Sequence, residues 1–339
     1  MALVGVLLPL PVILAWTALA HSFKATKPMK RILGDHSLRY LSSHLTTAQL
    51  QYVLGTTDSV YKTWTEREGL EVVVDELGED AKLLWIGPKR MDRVLLVLHG
   101  GGYFLPLEKQ GIMVGVALLQ YSLAPFATFP TQLEQTLLAI TTLLSAGLPP
   151  KRLIISGDSA GANFAFQFVS HIMHGDAGLD SHKLQLSGPI AGICAISPWV
   201  SLTADSESWS KNDGIDFLSR ATAAQWGGAH LAELPRLSAS ASAYLEPAKA
   251  PSGWFDEMHT VVDRVLITAG DCEGLYDHIV AFARRDDIDA KNNAKVELMI
   301  QEGGLHEDPM LDFNVGLSDE RLGSITQGIV EWFVVGFSA

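Results

Sequence analysis

The sequence predicts an α/β protein with a mostly parallel, doubly wound sheet and a helical cap. Short, continuously apolar stretches such as Arg93 to Leu98 (RVLLVL) alternate with amphipathic stretches, which is typical of strands covered on both faces. The stretch 203–256 interrupts that alternation with Ser-, Ala- and Trp-rich sequence, which indicates a helical insertion. Of the 339 residues, 47% are hydrophobic and 19% charged, which suits one large folded domain with an insertion.

The composition argues against several functions. The formal net charge is −13 and no long Lys/Arg run occurs, so we predict no binding to nucleic acid, which depends on neutralising phosphates. Cys194 and Cys272 lie in or next to predicted core strands and are expected to be free thiols. His171 and His174 are three residues apart on a predicted helix, with no acidic motif beside them, so we interpret them as partly exposed helix residues. We predict no metal and no cofactor.

The N-terminal stretch Ala2 to Ala20 is apolar and carries no charge. Its 19 residues can just span a bilayer, with kinks expected at Pro9 and Pro11. Three interpretations stay open: a membrane anchor, a cleaved signal peptide ending near Ala18-Leu19-Ala20, or a buried helix covering the substrate pocket. Basic residues follow the stretch, at Lys24, Lys27, Lys30 and Arg31. We favour an anchor of residues 1–20 in the endoplasmic reticulum, with residues 21–339 facing the cytosol; entry into the secretory pathway is the alternative.

The remaining elements are predicted from periodicity and from turn residues. The stretch 31–64 is mixed and predicted helical, with a helix starting near Thr46. Apolar runs at 70–74 and 82–86 predict a hairpin connected by residues 75–80. Further buried strands are predicted at 93–98, 116–123, 153–156, 190–196, 262–268 and 296–300, and helices at 130–146, 160–173 and 319–337.

A G-x-S-x-G pattern, Gly157 to Gly161, joins the strand at 153–156 to the helix that follows. A turn this sharp needs glycine two residues before and two residues after the serine. Ser159 at the apex would expose its hydroxyl above the sheet, at a helix N-terminus that favours negative charge. Ser159 is therefore the candidate nucleophile, whereas a lone small-residue turn would serve packing only.

A serine nucleophile needs a base, and the base needs an orienting acid. His306 follows the last predicted strand on the glycine-rich loop 303–308, so it is the candidate base. Three acids follow the preceding strand and compete for the orienting role, namely Asp271, Glu273 and Asp277; the last is expected to belong to the next helix. All these residues stand at the carboxyl ends of strands, where parallel sheets bind ligands.

The glycine run in His99-Gly100-Gly101-Gly102 can supply the third requirement of ester cleavage, which is stabilisation of the charged carbonyl oxygen. Attack on an ester puts negative charge on oxygen, and preplaced N–H donors stabilise it by about 2.7–4 kcal/mol each. Gly101 and Gly102 on one side, and Ala160 on the other, are the candidate donors. The run lacks the spacing of a dinucleotide-binding loop.

Together these motifs resemble the hormone-sensitive-lipase-like branch of the α/β-hydrolases, and within it the fungal steryl acetyl hydrolases and hydrolases of polyketide gene clusters. The motifs that carry the resemblance are HGGG at 99–102, YSLAP at 121–125, GDSAG at 157–161, SPW at 197–199 and GLH at 304–306. It implies that Glu273, which begins Glu-x-Leu-x-Asp, is the acid, with Asp271 in reserve. It also implies that Gly101 and Gly102 form the oxyanion hole, and that residues 21–65 and 203–255 form the cap.

One feature departs from that family. Only 18 residues separate Gly102 from Tyr121, where the family has a longer spacer with a full helix. A parallel crossover needs a dozen or more residues, so Tyr103 to Gly115 can just close it. The first crossover helix is expected to be short or absent.

The sequence therefore predicts a membrane-associated serine hydrolase that cleaves a carboxylic ester of a small apolar substrate, a role that the resemblance extends to fungal polyketide metabolism. The aromatic residues expected near the cleft, or else in the core, are Tyr103, Phe104, Trp199, Trp209 and Trp226. The alternatives are an acyltransferase or product-shaping enzyme on the same site, a sterol ester deacetylase, and a non-catalytic ligand binder.

Overall fold

Eight strands form one sheet in the computed structural model, which describes residues 3–21, 27–100, 114–175, 184–234, 240–288, 295–317 and 322–338. The strands are β1 Val73–Gly78, β2 Ala81–Ile86, β3 Val94–Leu98, β4 Gly115–Gln120, β5 Leu153–Asp158, β6 Gly192–Ile196, β7 Arg264–Gly270 and β8 Lys295–Gln301. Their order across the sheet is β1-β2-β4-β3-β5-β6-β7-β8. The pairs β1–β2 and β2–β4 are antiparallel and all other pairs are parallel, which confirms the predicted mostly parallel sheet.

Helices accompany the sheet along the whole described chain. They are α1 Leu3–Leu7, α2 Leu10–His21, α3 Met29–His44, α4 Thr47–Leu54, α5 Thr57–Arg67, α6 Thr131–Ser145, α7 Ala160–His174, α8 Glu207–Lys211, α9 Arg220–Leu231, α10 Ala241–Leu245, α11 Tyr276–Ala283, α12 Asp308–Asn314 and α13 Ser324–Ser338. The predicted start near Thr46 is confirmed, because the Thr46 side chain caps α4 in a capping box with Gln49. The insertion after β6 is helical as predicted, in α8, α9 and α10.

Both faces of the central strands β3, β5 and β6 are buried, and successive side chains of each strand point to opposite sides. On one face Leu96 and Leu98 share a core with Phe166 of α7. On the other, Leu95 and Val97 share a second core with Phe333 of α13. This double coverage explains why the central strands are continuously apolar in sequence.

Two predicted boundaries were wrong. The connection in the first hairpin is the pair Glu79 and Asp80, with φ of 51° and 58°, and not the whole acidic run 75–80. Asp75 lies within β1, where its carboxylate accepts from the indole N–H of Trp85 at 2.9 Å. The strand predicted at 116–123 ends at Gln120, where the pairing of β2 with β4 also ends.

The N-terminal helices lie against α3 but leave one apolar side open. The helix is interrupted at Leu8 and Pro9, between α1 and α2. Pro11 lies in the first turn of α2, where a proline ring is tolerated. The hydroxyl of Tyr40 donates to the carbonyl of Val6 at 2.9 Å. The segment Leu3–Ala20 is long and apolar enough to cross a membrane, and only 11% of it is buried, so it does not fit a buried helix over a pocket. The exposed large side chains are Val4, Leu8, Val12, Trp16 and Leu19.

Candidate active site

Ser159 lies on a strained turn between β5 and α7. Its φ and ψ are 49° and −113°, a left-handed conformation that a residue with a side chain rarely adopts. A Cβ atom on Gly161 would lie 1.9 Å from the Leu98 carbonyl oxygen, and one on Gly157 would lie 2.5 Å from Gly161. Glycine is therefore required at both positions by close backbone packing, as the motif predicted.

His306 lies in the loop between β8 and α12 and connects the serine to an acid. Its Nε2 is 3.0 Å from Ser159 Oγ, and its Nδ1 is 2.8 Å from Glu273 Oε2. All three side chains are buried or nearly so. These distances suit an imidazole that donates from Nδ1 to the carboxylate and accepts the serine hydroxyl proton at Nε2.

Glu273 is held by two further donors. Its Oε1 accepts from the Gly270 N–H at 2.9 Å and from the Ser197 hydroxyl at 3.3 Å. Burial raises the pKa of Glu273, and these two hydrogen bonds act in the opposite direction. Together with His306 they form a set of three donors, which is the environment that a carboxylate requires.

The other two candidate acids point elsewhere. Asp271 accepts from the exposed backbone N–H of Gly303 at 2.7 Å. Asp277 lies in α11, as expected, and accepts from the Ser208 N–H at 2.7 Å. Of the three acids, the structure brings only Glu273 to His306.

Asp216, from the helical insertion, is a member of the site for which the sequence offered no motif. Its two carboxylate oxygens accept from the backbone N–H groups of His306 and Gly274, at 3.2 and 3.0 Å. Burial raises the pKa of Asp216 to about 6. Burial lowers the pKa of His306, while the charges of Asp216 and Asp158 act to raise it. The next residue, Phe217, has its ring 5.6 Å from the imidazole, so the insertion covers one side of the candidate base.

Of the stretch His99 to Gly102, only His99 and Gly100 are among the described residues. Gly101, Gly102, Tyr103 and Phe104 lie outside them, and so does most of the short crossover predicted from Tyr103 to Gly115. The Gly100 N–H donates to Asp158 Oδ2 at 2.8 Å, and the Tyr121 hydroxyl donates to the His99 carbonyl at 2.5 Å. Burial lowers the pKa of His99 to about 4, so this imidazole is neutral. Tyr121 and Asp158 thus hold the backbone of His99 and Gly100, where the glycine run begins. This contact gives the first residue of the YSLAP motif at 121–125 a structural role. Ala160 is the first residue of α7, where N–H groups have no intrahelical acceptor.

The tryptophans expected near the cleft divide between two environments. Trp209 is 1% exposed and lies against Gly274, where an added Cβ would be 2.2 Å from its ring, so of the two positions expected for it Trp209 takes the one in the core. Trp199 and Trp226 are half-buried and pack at the edge of the core. The Trp199 ring makes an edge contact with His230 of α9, at 6.4 Å between centroids.

The thiols and helix histidines take no part in the site. Cys194 is buried and Cys272 half-buried, and both are free. His171 is buried, contrary to the partly exposed position expected for it, and His174 lies 3.8 Å from the ring of Trp254. In the described part of the chain, no group of three or more His, Cys, Asp or Glu residues could hold a metal ion.

The comparison with sequence families defines the class of protein. Residues 110–308, more than half of the chain, match the family described as the alpha/beta hydrolase fold. The chain therefore belongs to the α/β-hydrolase fold family, which confirms the predicted fold and family, whereas the likeness to fungal members stays a prediction.

Individual relatives cover smaller parts of the sequence. An acetyl-hydrolase of Streptomyces hygroscopicus is 36% identical over 145 residues, which are 40% of this chain and 45% of that protein. An esterase of Acinetobacter venetianus is 30% identical over 148 residues, 41% of this chain and 46% of its own length. The matched stretch thus spans less than half of either relative. A solved hormone-sensitive lipase from a metagenome library superposes with a TM-score of 0.65 at 21% identity, over 91% of this chain and 99% of that one, a likeness in fold.

Proposed function

We propose that this protein is a carboxylic ester hydrolase that works through Ser159, His306 and Glu273. The observation that carries the proposal is the continuous contact Glu273–His306–Ser159, at 2.8 and 3.0 Å, with the serine on a strained turn at the edge of the sheet. The names of the relatives, an acetyl-hydrolase and an esterase, support the same reaction.

The reaction follows from the donor and acceptor positions. His306 Nε2 takes the hydroxyl proton as Ser159 Oγ attacks the ester carbonyl, and Glu273 stabilises the imidazolium that forms. The imidazolium then gives its proton to the leaving alcohol, and an acyl-serine remains. Water, deprotonated by His306, attacks this ester, and the carboxylic acid leaves as Ser159 regains its proton. We assign the oxyanion contacts to the N–H groups of Ala160, Gly101 and Gly102.

Ser159→Ala tests the assignment directly. The variant should lose hydrolysis of p-nitrophenyl acetate and lose labelling by a fluorophosphonate, because both need the serine oxygen. Ser145→Ala, an exposed serine at the end of α6, is the matched control and should keep both signals. A wild-type protein that is neither labelled nor active, or a Ser159→Ala variant that stays labelled, would contradict the proposal.

The cap over this site is proposed to comprise residues 21–65 and 203–255. Contacts between the two segments support this grouping: Arg39 of α3 pairs with Asp213 at 3.1 Å, and the Thr222 hydroxyl donates to the Ser42 carbonyl at 3.3 Å. Asp216 and Phe217 belong to the second segment and contact His306. The substrate would therefore enter between the cap and the carboxyl edge of the sheet, where Trp199 and Trp226 favour an apolar ester.

Transfer of the acyl group to an alcohol instead of water uses the same acyl-serine. Product analysis with and without an added alcohol distinguishes the two reactions. Participation in secondary metabolism stays a prediction from the family resemblance, and a polyketide synthase gene beside this one would support it.

The N-terminal helices are proposed to bind a membrane. Within α2 their exposed apolar residues recur every three or four positions, at 12, 16 and 19, and so form one face of that helix, while Val4 and Leu8 are exposed before the interruption. Replacing Val12 and Trp16 by Glu should reduce co-flotation of the full chain with lipid vesicles, because charge is costly in the acyl region. Val335→Glu, at an exposed apolar position on α13, should leave flotation unchanged. Equal flotation of all three proteins would contradict the proposal.

A further inference from the structure

Two carboxyl groups beside the proposed triad have no part in the mechanism above. Asp158 precedes Ser159 and Glu307 follows His306, and their carboxyl groups lie within hydrogen-bonding reach of each other beside Gly100. They are 3% and 6% exposed. Glu307 has a left-handed backbone, with φ of 53°, and its N–H donates to the Ser197 hydroxyl at 3.2 Å. A local conformation this unfavourable indicates that the surrounding structure fixes the orientation of Glu307.

The pair lies between the glycine run and the imidazole. Asp158 Oδ2 accepts from the Gly100 N–H at 2.8 Å, on the side of the proposed oxyanion hole. Glu307 Oε1 is 3.6 Å from His306 Nε2, the nitrogen that receives the serine proton. A Cβ on Gly100 would lie 2.4 Å from Asp158 Oδ2 and 2.9 Å from Glu307 Oε1, so the pair packs directly against the loop backbone.

No cation among the described neighbours compensates two negative charges here. The titratable groups that act on the pair are His306, Glu273, Asp216 and Tyr121, with His99 at the neighbouring loop base, and none of these is a lysine or arginine. A hydrogen bond between two carboxyl groups requires that one of them carries a proton. Because Asp158 already accepts the Gly100 N–H, the arrangement favours Glu307 as the protonated member, donating its O–H to Asp158.

We propose that Asp158 and Glu307 share one proton and act as a positioning pair that holds Gly100, at the base of the glycine run, in register with His306. The inference rests on the proposed hydrolase function, in which the oxyanion donors and the imidazole must address the same carbonyl group. Burial, and the neighbouring charge of Asp158, raise the pKa of Glu307 well above its ordinary range, which agrees with a proton retained at neutral pH. The single remaining charge also favours the imidazolium, since Asp158 raises the pKa of His306.

The pair makes the site sensitive to alkaline pH. Loss of the shared proton would put two unpaired carboxylates in contact and push Glu307 away from Asp158. Glu307→Gln keeps a donor toward Asp158 but has no proton to lose. Glu307→Ala removes the contact altogether, and Asp158→Asn removes the charge but keeps an oxygen for Gly100.

The experiment measures kcat and KM against pH for the full chain and these three variants. Glu307→Ala should lose about 10²-fold in kcat with KM nearly unchanged, as expected when a small displacement misaligns the reacting groups. Glu307→Gln should recover most of that loss and extend the alkaline limb of the profile by about one pH unit or more, the response that a shared proton requires. Asp158→Asn should lose activity without gaining that extension.

An infrared measurement keeps this test separate from the proposed function. The wild-type protein at pH 7 should show the carbonyl stretch of a buried protonated carboxylic acid, and Glu307→Gln should lack it, whether or not any ester is cleaved. An active wild type with no such band, or a Glu307→Ala variant whose kcat and pH profile match the wild type, would overturn the inference. An inactive, unlabelled wild type that shows the band would instead contradict the hydrolase assignment.

Discussion

Glu307 and Asp308 are consecutive acidic residues, both buried, and they meet opposite environments. Glu307 faces Asp158 and His306, where none of the contacting groups described is a lysine or arginine. Asp308 faces the N-terminal part of the chain, where its carboxylate pairs with Arg31 and with Lys27, the latter at 3.1 Å. One peptide unit therefore separates a buried carboxyl group that faces another acid from one that pairs with two cations.

The cationic cluster is centred on Arg31, which is 1% exposed. Its guanidinium contacts Asp308 and Asp312 at the start and within α12, and Asp35 at 2.7 Å on its own helix α3. Asp308 also accepts from the Leu305 N–H at 3.2 Å, and Leu305 immediately precedes His306. The cluster therefore fixes the loop that carries His306 to α3.

The contrast between Glu307 and Asp308 indicates that the two acids have different roles in the molecule. A buried carboxylate with a cation is satisfied at every pH near neutrality and contributes to structure. A buried carboxyl group without one is costly when charged, and such groups concentrate where proton transfer is needed. The two clusters should therefore respond to different perturbations, in activity on one side and in stability on the other.

The largest effect on activity is expected from substitution of Glu273, which contacts His306 directly. Glu273→Gln should lower kcat on the order of 10³- to 10⁴-fold, because the imidazole loses the carboxylate that sets its tautomer and stabilises its charge. Asp271→Asn is the control, because the Asp271 carboxylate accepts from the exposed Gly303 N–H and not from His306, and the variant should stay near the wild-type rate. The reverse result would identify the reserve acid as the functional one and break the comparison.

The cation cluster should show its effect in stability. Arg31→Met leaves three buried aspartates without their main cation and should lower the free energy of unfolding by about 3–5 kcal/mol, measured by denaturant titration. Lys27→Met removes a cation that is 27% exposed and should cost less than about 1 kcal/mol. Equal losses for both variants would show that burial of the cation does not decide its contribution.

An effect smaller than that of Arg31→Met, and one that depends on pH, is expected for Glu307→Gln. The pKa of Glu307 is raised by burial above its value in the unfolded chain, so its favourable contribution is complete below the unfolded pKa and declines as pH rises toward the folded one. Glutamine cannot ionise and avoids that decline. Thermal unfolding should find the variant more stable than wild type by about 1–2 kcal/mol at pH 8, with a smaller difference at pH 4. A constant difference across pH would contradict the protonated state assigned to Glu307.

The sequence predicted those parts of the site that depend on local motifs. Ser159 follows from its two glycines, and His306 follows from its position after the last strand. Glu273 was distinguished from Asp271 by the family pattern alone, since both follow β7 and only side-chain direction separates them. Asp158 and Glu307 lie beside the motif residues, but nothing in a sequence shows that two separated acids share a hydrogen bond.

Contacts across long chain separations could not be predicted in this way. Asp216 meets His306 across 90 residues, and Arg31 meets Asp308 across 277, and neither belongs to a periodic pattern. The hairpin boundary failed because an acidic run resembles a loop, whereas a tight turn with positive φ needs only two residues. The prediction that His171 is partly exposed was wrong because it was made from the residue type and not from what packs against that helix position.

The position of Arg31 constrains how the molecule can be held at a surface. The N-terminal helices pack on α3, and Arg31 of α3 pairs with Asp308, the first residue of α12 and two residues after His306. A bilayer that takes up the exposed apolar residues of α1 and α2 would hold the site at one distance and one tilt. Esters dissolved in that bilayer would meet an opening of fixed orientation, so depth in the lipid could select substrates as strictly as shape does.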